Sequence, residues 1–201
     1  MNRKITALKA QKRNKDRLNV YLDGEYAFSI ARIVAAWLKV GDEIDEVKIS
    51  ELKSQDGHEK AYQQALNLLS YRDRSEAEIR KNLQDHEYDA AQIEQAIARL
   101  QRGALIDDQR FARMWVENRT DFSPRGRRAL RFELRKKNVD DKAIDRALEE
   151  LDEVKLALSA ATRRIGRYER MEWPEFRQKL GGFLSRRGFG YDVIAPVLEQ
   201  L

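Results

Sequence analysis

The 201-residue sequence has no cysteine, three prolines and two histidines, and its longest apolar stretch runs only from Ile33 to Leu38. Without cysteine there is neither a disulfide nor a thiolate-bound metal, a composition that suits a reducing compartment. The apolar stretch falls far short of the roughly 20 residues a membrane-spanning helix needs, and the N-terminus lacks a hydrophobic signal region. A cytoplasmic protein without membrane association is therefore expected. His58 and His86 stand in neither metal-ligand nor triad spacing and are expected to be exposed helix-end residues. No G-x-x-x-x-G-K-S/T run is present, and Gly181-Gly182 and Gly188-Phe189-Gly190 read as helix termini. Asp107-Asp108 would hold Mg²⁺ only with further convergent carboxylates; between Ile106 and Phe111 the pair reads as a helix N-terminal cap. No catalytic residue, metal site or cofactor is expected, and the chain is not read as an enzyme.

What the sequence has in abundance is charge and period. With 42% hydrophobic and 36% charged residues it suits a soluble protein with small cores and a large charged surface. Leu83, Leu134 and Leu184 follow one another at steps of 51 and 50 residues. Ile79, Leu130 and Leu180 precede them by one helical turn on the same face. A second stripe opens at Ile93, Ile144 and Ile194, continues at Ile97, Leu148 and Leu198, and closes at Leu100, Leu151 and Leu201. Such a period is the mark of stacked helical units.

Boundary signals divide each unit into three helices. Ser123-Pro124 reads as an N-cap followed by proline at the first helical position, and Trp173-Pro174 falls at the same point of the third unit. In the first unit Ser75-Glu76-Ala77-Glu78 has capping-box spacing instead. Asp89 and Asp140 read as caps of the third helices, and Gly103 follows the first of these where a left-handed residue is cheap. The expected limits are 59–106, 107–151 and 152–201, with helices near 59–70, 75–86 and 89–102 in the first unit. Units this small need their neighbours for stability.

Residues 1–58 read differently. Ile5 to Gln11, Leu18 to Leu22 and Tyr26 to Ile30 favour strands, with a turn at Asp23-Gly24. A two-residue loop would put Val20 and Phe28 on opposite faces. A three-residue loop of Leu22, Asp23 and Gly24 instead sets Val20 against Tyr26 and Leu18 against Phe28. Ala31 to Lys39 then reads as a short helix, Gly41-Asp42 as a turn, and Val47 to Gln55 as a second helix leading into the first repeat. The expected fold is mainly α: three tandem three-helix repeats forming an elongated curved rod, preceded by a small N-terminal β-hairpin and α+β cap.

Net charge is only +5, but the basic residues are clustered, and clustering governs polyanion binding more than the total. Arg128, Arg131 and Arg135 share a helix face, widened by Arg125, Arg127, Lys136 and Lys137; the third unit adds Arg163, Arg164, Arg167 and Arg170, then Arg186 and Arg187. Such residues either meet a polyanion or form a solvated face balanced by Asp and Glu. Tyr71, Phe122 and Trp115 lie near the basic turns, where core or inter-unit packing is favoured over base stacking.

Four stretches resemble a known family. Ala61 to Leu69 followed by Ser70-Tyr71-Arg72-Asp73-Arg74-Ser75-Glu76, then Ile106-Asp107-Asp108-x-Arg110-Phe111-Ala112, then Pro124 through Leu134-Arg135-Lys136-Lys137 to Val139, resemble in order and spacing the RecX regulators. Tyr21 to Phe28 looks like the hairpin extension of some members. The resemblance implies a regulator of the RecA recombinase, an elongated protein lying in the groove of the RecA–DNA filament and inhibiting ATP hydrolysis and strand exchange. The expected partners are that filament and, weakly or with its assistance, single- and double-stranded DNA; a surface without an obvious self-complementary apolar stripe makes a monomer the expectation. The contact set expected from the basic clusters is Arg72, Arg74, Arg125, Arg127, Arg128, Arg131, Arg135, Lys136, Lys137, Arg163, Arg164, Arg186 and Arg187. Where the family often has Lys-Gly between the second and third helices, this chain has His86-Glu87, Lys137-Asn138 and Arg187-Gly188. Glu87 is a poor left-handed residue, so a looser or differently shaped first turn is expected. The competing expectation is a general DNA-binding protein of helix-turn-helix-like units. A scaffold of helical hairpins fits less well, since those repeats run nearer 34 residues and have two helices.

Overall fold

The β-branched and aromatic residues of the first thirty positions form strands in the computed structural model, which describes residues 2–168 and 170–201. The sheet is antiparallel, in the order β3-β2-β1-β4, with β1 Arg3–Ala10, β2 Arg17–Leu22, β3 Glu25–Ala31 and β4 Glu43–Ile44. Ile5, Val20, Leu22, Phe28 and Ile30 are buried against Ile49 and Leu52 of the following helix. The hairpin loop has two residues, not the expected three: Leu22 pairs with Glu25, and Asp23 (φ 51°) and Gly24 (φ 92°) both adopt the left-handed region. A bulge reconciles this loop with the buried face. Tyr21 pairs with Tyr26 but Val20 with Phe28, so Ala27 is the extra residue, and the strand beyond it regains the inward face.

Residues 32–37 are a run of turns rather than the expected short helix, and β4 was not foreseen. The next element, α1, is one 24-residue helix, Glu46–Leu69, where helices near 47–55 and 59–70 were expected. The expected division at 58 and 59 lies inside it, and His58 is consequently half-buried in mid-helix rather than exposed at an end. Gly57 lies in mid-helix, where a Cβ would meet only the amide end of the Gln92 side chain on a facing helix. Buried Asp56 ties α1 to the sheet: its carboxylate receives Arg17 Nη2 at 2.9 Å, the Ala31 N–H at 2.7 Å and Lys60 Nζ at 2.9 Å.

Three helical trios include or follow α1: α1 with α2 Glu76–Asp85 and α3 Ala90–Arg102; α4 Asp108–Phe122, α5 Arg127–Arg135 and α6 Asp141–Leu148; α7 Glu153–Ile165, α8 Trp173–Arg186 and α9 Tyr191–Glu199. Four of the five repeating positions are buried in all three copies. The fifth is not: Leu100 is buried, Leu151 half-buried, and Leu201 38% exposed beyond the end of α9. Asp89 and Asp140 cap α3 and α6, the former in a full capping box, and Ser75 and Glu78 bond reciprocally at 3.3 and 3.4 Å. Ser123 instead closes α4, and α5 starts at Arg127 behind Gly126; Glu172, not Trp173, caps α8, whose second residue is Pro174. The left-handed residue after α3 is Ala104 (φ 51°), while Gly103 has φ −80°.

The turn between second and third helices is the same in every trio. Tyr88, Val139 and Phe189 donate their N–H to Leu83, Leu134 and Leu184 carbonyls at 3.2, 3.2 and 3.3 Å. Glu87 (φ 62°), Asn138 (φ 52°) and Gly188 (φ 88°) hold the left-handed position, each donating its N–H at 2.9 Å to the carbonyl one residue further along. This is a Schellman motif in triplicate. The expected looser first turn does not occur: burial of Leu83 and the two hydrogen bonds hold Glu87 in a conformation it does not itself favour.

The chain divides into two compact units, 1–73 with 79–105, and 74–78 with 106–201. Inside the second, one docking arrangement occurs twice. Ser75 Oγ donates to Lys137 O at 2.8 Å, and 51 residues on the Gly126 N–H donates to Arg187 O at 2.9 Å. The first N–H of the docked helix is capped from the next trio both times, Glu76 by Asp108 Oδ1 at 2.9 Å and Arg127 by Glu153 Oε1 at 2.8 Å. Asp107 caps its own helix α4; Asp108 caps α2.

Candidate polyanion-binding surface

The expected basic residues separate into two groups according to whether an acidic side chain faces them. Arg131 pairs with Asp145 across α5 and α6, and Arg80 with Glu94 repeats that pair 51 residues earlier, so this contact belongs to the framework of the repeat. Arg135 pairs with Asp141 at 2.9 Å, Lys137 with Glu78 at 2.6 Å, and Arg127 with Glu153 at 3.5 Å while bonding Leu151 O. Arg125 Nε lies 3.0 Å from Glu133 Oε1, an ion pair too bent to count as a hydrogen bond. Glu133 also accepts from Arg119 Nε at 2.8 Å and Trp115 Nε1 at 2.9 Å, so Arg125 shares one carboxylate with another arginine.

Arg72 donates to Asp73 O, and Arg74 has a buried Nε without a hydrogen-bond partner. Exposed Arg128 lines an open cleft of about 620 Å³ with Arg177, Gly181 and Tyr191. Lys136 lies over the Phe132 ring, and Arg186 is exposed along α8. Trp115 is half-buried against Phe111 in the core, as expected, whereas Tyr71 and Phe122 are 84% and 77% exposed, against the expectation of packing. Both lie at helix ends, Tyr71 just beyond α1 and Phe122 as the last residue of α4.

The strongest concentration of charge is at the end of α4. Arg187 Nη1 donates to Pro124 O at 2.9 Å, and Arg163 donates to Asp121 O at 3.1 Å and Phe122 O at 3.5 Å. Arg164 and Arg187 share the Phe183 ring, at 5.3 and 4.8 Å from its centroid, and Arg164 reaches the Tyr168 hydroxyl at 3.4 Å. Among the described residues none of Arg163, Arg164 and Arg187 has a carboxylate partner. Burial lowers the pKa of Arg187, and the like charges of Arg125, Arg164 and Arg163 lower it further. Tyr168, Phe183 and the carbonyls of 121, 122 and 124 were absent from the sequence-based site. Only their position under the guanidiniums reveals them.

Asp108 is the opposite case. Burial raises its pKa, the Glu76 N–H works against this, and the charges of Glu76, Asp140 and Asp107 add to the rise. Among the described residues no three His, Asp or Glu side chains converge as a metal site. Nor is any helix among them long and apolar enough to cross a membrane.

Four family models cover most of the chain: the regulatory protein RecX N-terminal domain matches residues 3–45, and the first, second and third RecX three-helix domains match 61–100, 107–148 and 151–198. The regulatory protein RecX of Bacillus subtilis (strain 168) is 33% identical over 202 residues, covering 98% of this chain and 76% of the relative. The chain belongs to the RecX family. A RecX of Clostridioides difficile (strain 630) is 32% identical over 202 residues, covering 98% of this chain and 95% of its own. A crystal structure of a regulatory protein RecX superposes with a TM-score of 0.82 at 32% identity, covering 98% of this chain and 99% of the other. The mainly helical fold of three RecX three-helix domains behind a small antiparallel sheet is thus shared along the whole length.

Proposed function

We propose that this RecX-family chain binds the filament that RecA recombinase forms on DNA and lowers its ATP hydrolysis and strand exchange. Family membership supports the reading, and one observation on the molecule carries it: guanidiniums at the end of α4 that no carboxylate of the described residues neutralises. Repeated modules favour a polymeric target, because each weak contact raises the effective concentration of the next. The protein then works in the cytoplasm as a monomer, without a reaction of its own.

The contact is assigned to the basic residues that lack carboxylate partners, with Arg128, Lys136 and Arg164 at its centre, rather than to Arg131 or Arg135. Recombinase ATPase on single-stranded DNA is the test. Reversing Arg128, Lys136 and Arg164 to Glu in a folded variant is expected to weaken inhibition by at least about tenfold, as loss of several charge contacts requires. Unchanged potency rejects the assignment. Equal affinity for bare and recombinase-coated DNA favours the competing reading, a general DNA-binding protein.

A further inference from the structure

The start of α5 and the last two helices of the third trio border the open cleft of about 620 Å³ that Arg128 lines. Phe189, Ile194 and Leu198, all buried, form its floor, while exposed Arg177, Gln178 and Tyr191 stand at its rim. No Asp or Glu is among the lining residues, and neither Arg128 nor Arg177 pairs with a carboxylate among the described residues. A larger cleft of about 940 Å³ along α4, α6 and α7 differs, because its lining carries Glu117, Glu149 and Asp152 as well as Arg113, Arg146 and Lys155. Of the two, only the smaller has charge of a single sign.

Gly181 and Gly182 also line this cleft, in the interior of α8, where glycine is less favourable than any residue but proline. Internal packing does not require them. A Cβ on Gly181 would meet Leu198 Cδ1 at 3.5 Å and Ile194 Cγ2 at 3.8 Å, ordinary contact distances, and one on Gly182 would meet only the flexible end of Arg186 at 3.3 Å. A side chain at 181 would instead occupy the space over Ile194 and Leu198, which is the floor of the cleft. Glycine keeps that floor bare. An apolar floor with an exposed tyrosine and guanidiniums around it has the anatomy of a protein-recognition site, in which an apolar anchor sits at the centre and charges lie outside. A phosphate backbone would engage the guanidiniums alone, whereas an acidic peptide with an apolar side chain satisfies both parts.

We infer that the cleft between α8, α9 and the start of α5 docks an acidic segment of a partner protein, with an apolar side chain of that segment over Gly181 and its carboxylates on Arg128 and Arg177. The inference rests on the filament reading only in naming the recombinase as the protein that supplies the segment. The test is fluorescence anisotropy of the full chain with a labelled oligoglutamate carrying a central Leu-Phe pair, beside plain oligoglutamate of equal length and oligo(dT) of equal charge. The Leu-Phe peptide is expected to bind at least about tenfold more tightly than plain oligoglutamate. Gly181→Leu sets an aliphatic side chain of the chain's own on the floor; it should keep or raise the urea denaturation midpoint and still weaken the Leu-Phe peptide at least about tenfold. Tyr191→Ala and Arg177→Glu, both at exposed positions, should each weaken it at least about fivefold, and they decide the matter if Gly181→Leu does not fold. Equal binding of the two peptides overturns the inference, as does a folded Gly181→Leu variant, or a Tyr191→Ala variant, that binds the Leu-Phe peptide as tightly as the parent. Oligo(dT) binding weakened by these changes as much as peptide binding also overturns it and assigns the cleft to nucleic acid. No recombinase enters the peptide series, and the parent's inhibition of filament ATPase is measured apart from it, so the two readings fail separately.

Discussion

Replacing Gly188 by Asn tests the repeated docking most directly. If a positive φ were the only demand at the turn, asparagine would serve, because Asn138 holds the equivalent position at φ 52°. The surroundings differ. In the first docking a serine hydroxyl stands between the helix backbone and the turn, as Ser75 Oγ reaches Lys137 O. In the second the Gly126 backbone N–H reaches Arg187 O directly, so the two backbones lie closer together. A Cβ on Gly188 would sit 2.5 Å from both the nitrogen and the Cβ of Ala129, and one on Gly126 would strike the Gly188 carbonyl. Loss of glycine at positive φ costs about 1 kcal/mol and overpacking adds about 1–3. Gly188→Asn should therefore destabilise by about 2–4 kcal/mol in urea denaturation, whereas Asn138→Gly should change stability by less than about 1 kcal/mol. The double variant Gly126→Ser with Gly188→Asn recreates the wider first docking and should lose less than the sum of the single changes. A neutral Gly188→Asn, or strict additivity in the double variant, refutes the reasoning.

Leu134→Ala empties a fully buried position in the second trio and should cost about 2–5 kcal/mol in the same assay. Glu87→Gly relieves a left-handed backbone at an exposed turn and should stabilise by up to about 1 kcal/mol, read as a higher denaturation midpoint. Asp108, whose folded pKa is raised chiefly by burial, binds its proton more readily folded than unfolded. Its contribution therefore falls as pH rises from the ordinary carboxylate range through the raised value, and Asp108→Asn should flatten that part of the stability–pH profile. Asp56 has the reverse sign: burial pushes its pKa up, but Arg17, Lys60 and the Ala31 N–H overcome this and lower it. Its support is complete above the ordinary carboxylate range and lost as pH falls through the depressed value, so Asp56→Asn should cut stability at neutral pH and lessen its loss in acid.

The threefold period could be read directly because a buried helix face accepts only apolar residues, and Leu83, Leu134 and Leu184 return in step whatever their surroundings. The caps at Asp89 and Asp140 were equally plain, since a carboxylate's bond to the N–H groups of the next turn is made within a few residues. The hairpin was less so. Its Asp-Gly turn shows in the chain, but the bulge at Ala27 answers to the side of the sheet that α1 covers.

Composition and spacing by themselves determined the helical trios, the N-terminal strands and the presence of clustered arginine. Only the tertiary structure decided that α1 runs unbroken, that Asp108 and Glu153 cap helices of the preceding trio, and which arginines face an acid. Arg131 meets Asp145 while Arg163, Arg164 and Arg187 converge with no carboxylate among the described residues, although the chain near each is similarly basic. The physical reason is range. Periodicity and capping act within a turn or two of helix, whereas neutralising a charge depends on whichever side chain a distant element brings within about 4 Å.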